Sequence, residues 1–175
     1  MASIAELRKK TGMDLQRLKP IKTAHGMLRV YRNWGNEGAI YMENPQTINR
    51  YKELGKEEPD SQKYGIFWAF SDEQFEEGKE KMKQLGFYQE GQKIYAFGGG
   101  GYGTSKELID DFFNFYKNRR KRMAAECDPQ EVYIYEYNNH ECMLDWDGDD
   151  AAYKLIVDMY GEEVAKGITR FSVKN

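Results

Sequence analysis

Two cysteines and two histidines are all that 175 residues offer to thiol or imidazole chemistry. Cys127 and Cys142 form no CxxC pair and no disulfide framework, which points to reduced thiols in a cytoplasm. His140, Cys142 and Cys127 could supply three zinc ligands, but a fourth is missing, and a pair of ordinary reduced cysteines is the simpler reading. His25 has no nearby Ser or Cys nucleophile and no GxSxG elbow accompanies either histidine, so nothing supports a Ser-His-Asp hydrolase. The chain lacks any apolar run on the order of 18 residues, the length a membrane helix needs. Its start, Met1 to Lys10, lacks the apolar core of a signal peptide, so the expectation is a protein neither secreted by that route nor membrane-spanning. A basic excess is also missing: the formal charge is −3. That balance argues against a surface that tracks nucleic acid throughout and leaves only a local basic face.

What the chain does have is rings: thirteen Tyr, nine Phe and three Trp, side chains that favour strands, cores and contact surfaces. The length suits one domain that folds without metal or disulfide, with two small lobes as the alternative. Ser3 to Thr11 reads as a helix, with Ser3 and Glu6 as a capping box and Gly12 as the stop. A short helical turn at Asp14 to Leu18 follows. Residues 1–20 are therefore read as an N-terminal helical arm and 21–175 as a single α+β domain. A helix-turn-helix is set aside because Met27 to Arg32 alternates like a strand.

Strands are expected at Leu28 to Arg32, Ala39 to Met42 and Lys93 to Phe97. Gly65 to Phe70 is apolar on both alternating sets, as a central buried strand would be. A last hairpin pairs Glu131 to Tyr137 with His140 to Leu144 through Asn138-Asn139. Helices are expected after Asn44-Pro45, after Ser71, from Ser105 to Glu126, from Asp150 to Tyr160 and around Glu162 to Lys166. The fold class is thus α+β, an antiparallel sheet of about five to six strands packed with several helices, one long helix following a glycine-rich loop.

That loop is the first candidate site. Gly98, Gly99, Gly100, Gly101 and Gly103 stand between an expected strand and a helix opening at Thr104, Ser105 and Lys106. A glycine turn into a helix start presents free N–H groups to an anion. Thr104 stands where a P-loop has lysine, so a Walker NTPase fails and a backbone-only anion site remains, against the plain alternative of a tightly bent connection. The second candidate is the dense positive run at the end of the long helix, where Tyr116, Arg119, Arg120 and Arg122 could dock an acidic protein surface or a nucleic-acid backbone, or simply complement the helix dipole. Asp145 and Asp147 could hold Mg²⁺, but the acidic stretch fails the EF-hand pattern, and its carboxylates read more simply as a helix cap and solvated charge.

Tyr64 to Gly78 and Tyr95 to Gly101 resemble a family of uncharacterised small proteins from bacteriophages and mobile elements, a likeness running from about Tyr64 onward. It transfers no catalytic residue. It implies the cytoplasm of a bacterial host and a role in phage or plasmid biology. The expectation is a non-enzymatic binding or regulatory protein without cofactor, acting on a host or phage macromolecule, first of all a protein. The alternative is a nucleotide- or phosphate-binding domain built on Gly98 to Gly103, with phosphoester processing as its enzymatic form.

Overall fold

The computed structural model describes residues 3–36, 38–139 and 148–171, without the side chains of 148–150. The chain gathers into two compact units, one of Met1–Gly55 with Lys121–Asn175 and one of Lys56–Arg120.

In the first unit, α1 (Ile4–Thr11) opens as the sequence predicts: Ser3 and Glu6 close a capping box and Gly12, at φ 69°, ends the helix. Asp14 to Leu18 is not a helical turn. Leu15–Arg17 is strand β1, and β2 (Ile21–Thr23) follows after Pro20. The long strand β3 (Gly26–Asn33) is the spine of this sheet, pairing antiparallel with β1, β2 and β4 (Ala39–Glu43). Leu28, Val30 and Ile40 turn into the core. Helix α2 (Ile48–Gly55) starts later than Asn44-Pro45 suggests, because Asn44 takes a left-handed conformation at φ 54°.

The second unit holds a separate three-stranded antiparallel sheet, ordered β5 (Ile66–Trp68), β7 (Gly101–Gly103), β6 (Tyr95–Phe97). Helix α3 (Asp72–Gln84) follows β5, with Ser71 as its N-cap. Helix α4 (Lys106–Glu126) follows β7 and is the long helix the sequence predicts. The fold is therefore mixed α+β with two small sheets of four and three strands rather than one sheet of five to six.

The expected hairpin at Glu131 to Tyr137 is instead α5 (Pro129–Asn139), a helix whose Gln130 to Ile134 and Tyr137 are all buried. Its start is fixed by Asp128, whose carboxylate accepts the N–H groups of Gln130 and Glu131 at 2.9 and 3.2 Å, and by Pro129 in the first helical position. A helix enclosed on every side loses the polar stripe that betrays its period, so its alternating Val132, Ile134 and tyrosines imitate a strand. The proposed partner strand at His140 to Leu144 lies outside the described residues. Helices α6 (Gly148–Tyr160) and α7 (Glu162–Lys166) complete the unit, and Ala152, Ile156, Ala165 and Phe171 join its core.

Candidate functional site

The second unit is a sheet with rings on both faces. On one face Tyr102, in the central strand, stacks on Phe67 at 5.5 Å and meets the edge of Phe75, on α3, at 4.9 Å. Gly78, in the middle of α3, gives the Phe67 ring its space, since a Cβ there would collide with the ring. On the other face Phe97 meets Phe113 at 5.3 Å and Trp68 meets Phe112 at 6.0 Å, both partners on α4. Gly101 and Gly103 of β7 point to this face; a Cβ on the first would strike the Phe97 ring and on the second Ile109.

The glycine run is thus a hairpin and not a strand-to-helix loop. Gly98, Gly99 and Gly100 form the turn between β6 and β7, where Gly99 and Gly100 both sit at φ 73°, a region that side chains disfavour. The strand β7 then separates this tip from Thr104, Ser105 and Lys106 by about 10 Å at the rise of an extended chain. The structure therefore does not bring the predicted anion-binding set together. Ser105 caps α4 itself, its Oγ accepting the Leu108 N–H at 3.1 Å. The Thr104 N–H donates to Gly65 O at 3.1 Å, and its hydroxyl fills the space above Gly65 without a hydrogen-bond partner among the described residues. Lys106 extends over the Tyr95 ring, with Nζ at 5.6 Å from its centre.

The basic run is divided too. The Tyr116 hydroxyl donates to Glu58 at 2.8 Å, and burial together with Glu58 pushes its pKa up. Arg119 lies over the Tyr116 ring at 5.0 Å, donates to the Glu57 carbonyl and pairs with Glu58 at 3.6 Å. These two residues hold the Glu57-Glu58 segment onto α4, while Arg120 and Arg122 are exposed.

The feature that the sequence reading missed is Phe70. Gly65 to Phe70 is not a central buried strand: β5 lies at the edge of its sheet, and although Ile66, Phe67 and Ala69 are buried, Trp68 is 43% and Phe70 78% exposed. Phe70 is held at its backbone, where its N–H donates to the Gln74 side chain at 2.8 Å and the Ala69 N–H to Gly100 O at 3.0 Å. Its ring stands between two open grooves. One, of about 480 Å³, runs past Trp68 and the α3 side chains Gln74, Glu77 and Lys81. The other, of about 420 Å³, is walled by Ser71, Asp72, Phe75 and Tyr102. Phe70 is thus an exposed ring between two grooves of mixed apolar and polar lining. The only signal of it in the sequence was position: an apolar residue immediately before a helix cap, past the end of its strand.

Among the described residues no group of three or more His, Cys, Asp or Glu side chains could hold a metal ion, and no helix is long and apolar enough to cross a membrane. Cys127 is buried in the core of the first unit, and burial pushes its thiol up to about 11. His140 and Cys142, the other two zinc candidates, and the Mg²⁺ candidates Asp145 and Asp147 lie outside the described residues.

Neither a curated protein nor a solved structure matches the chain. A family model does match, over residues 51–174, which take in all of the second unit from Lys56 and the helices that follow it. The chain belongs to this family, described as a family of unknown function (DUF7659).

Proposed function

We propose that the chain is a non-enzymatic binding or regulatory protein of phage or mobile-element origin, acting in the cytoplasm of a bacterial host on a protein partner. Phe70 carries the reading: a ring that is 78% exposed, fixed at its backbone and flanked by two grooves. Leaving so large an apolar side chain in water has no folding benefit, and rings in this setting dominate the energetics of protein interfaces. Trp68 extends the apolar surface, and Gln74, Glu77 and Lys81 supply the polar rim that fixes orientation. The phosphate alternative has weaker support, because the glycine tip and the start of α4 stand at opposite ends of β7.

The test is affinity capture from bacterial lysate with wild-type protein and with Phe70→Ala. Removing an exposed ring changes stability by no more than about 0.5 kcal/mol, whereas removing an interface anchor costs about 2 kcal/mol or more of binding. A partner held by wild type and lost from Phe70→Ala supports the reading; equal retention by both overturns it.

A further inference from the structure

Strand β6 has one edge that no described strand covers. In an antiparallel ladder, residues that bond to the neighbouring strand alternate with residues whose N–H and C=O point the other way. Between β5 and β7 the Ala69 N–H donates to Gly100 O and the Thr104 N–H to Gly65 O. With Phe67 opposite Tyr102, the residues that bond toward β5 are Gly100, Tyr102 and Thr104. Gly101 and Gly103 bond toward β6, where they face Phe97 and Tyr95. Ala96 lies between those two, so its N–H and C=O point out of the sheet. It is exposed, and no other described strand pairs with β6.

Two lysines stand at the Tyr95 end of this edge. Lys93 Nζ lies 5.2 Å and Lys106 Nζ 5.6 Å from the centre of the Tyr95 ring. Both lysines are exposed, and neither pairs with a carboxylate among the described residues. Lysine on an edge discourages pairing with like strands. Two of them at one end select for a strand of opposite charge.

We propose that β6 accepts an extended acidic segment of a protein partner as an added strand, its main chain bonding to Ala96 and its carboxylates meeting Lys93 and Lys106. The site does not rest on Phe70 or its grooves. The probe is a fluorescein-labelled peptide of alternating Glu and Val, titrated by anisotropy. Ala96→Pro removes the outward N–H without taking a bond from the ladder, a substitution that edge positions tolerate. Binding to wild type, a loss of about ten-fold in Ala96→Pro, and loss in Lys93→Glu with Lys106→Glu are expected. Hydrogen exchange at the Ala96 amide should slow on peptide addition, and a Lys-Val peptide should not bind. If Ala96→Pro fails to fold, a backbone N-methylated Glu-Val peptide makes the same test on wild type, with the same loss expected. Undiminished binding by either modified species, or an unprotected Ala96 amide, overturns the proposal. So does wild-type self-association that Ala96→Pro abolishes, which would give the edge to a second copy.

Discussion

The carboxylate of Glu131 holds the turn into a helix to which it does not belong: it receives the Thr47 N–H at 2.7 Å and the Thr47 hydroxyl at 2.8 Å. The Gln46 N–H adds a third bond at 2.7 Å, so the turn that leads into α2 is held by a side chain from α5. Thr47 Oγ in turn accepts the Asp128 N–H at 2.8 Å, which ties the starts of both helices together inside the core. Glu131 is 1% exposed. A buried carboxylate with three donors is stabilising only while every donor is present.

Glu131→Gln should therefore lower stability by about 2–4 kcal/mol, because the amide NH₂ would face backbone N–H donors. Thr47→Val should cost about 1–3 kcal/mol by orphaning the Asp128 N–H and taking one of two donors from a carboxylate oxygen. Urea denaturation reads both as a lower midpoint with an unchanged slope. Midpoints within error of wild type would remove this junction from the account of the fold.

Gly78→Ala reverses the usual sign for a glycine inside a helix. In an exposed helix that change gains about 1 kcal/mol. Here the new Cβ meets the buried Phe67 ring, which Tyr102 and Phe75 hold in place, so a loss of about 1–3 kcal/mol is expected. A stabilised variant would mean that Phe67 does not occupy the space over α3.

The acid response of the first unit should run through Glu43. The Tyr31 hydroxyl donates to it at 2.7 Å and holds its carboxyl below the usual carboxylate range; burial opposes this and Arg29, at 3.2 Å, adds to it. A depressed pKa contributes stability that is fully present above the unfolded value, about 4.3, and is lost as pH falls through the folded one. Tyr31→Phe should accordingly lose stability above about pH 5 and draw closer to wild type as pH falls through the lowered folded value. A deficit that stays constant with pH would assign the cost to packing alone.

Local signals were the legible part of this chain. Ser3 with Glu6, Gly12 and Ser71 announced helix ends that the structure contains, because a cap is chemistry between near neighbours. Asp128-Pro129 is a helix start of the same local kind, but Val132, Ile134 and the tyrosines alternate like a strand, since a helix buried all round its first turns shows no amphipathic period. The glycine run looked like an anion cradle because sequence does not say which rings cross it. Gly101 and Gly103 are there for Phe97 and Ile109, contacts that only the folded sheet creates. Phe70 was hidden for the opposite reason: hydropathy reads an exposed ring and a core ring alike.

The claim that Phe70 is a docking anchor is tested most directly by placing a photo-crosslinking phenylalanine analogue at position 70, or at the exposed Lys56 of the same unit as a control, in protein irradiated in bacterial lysate. The account predicts a discrete crosslinked product from position 70 that is absent from position 56. No product from position 70, or the same product from both positions, would contradict it.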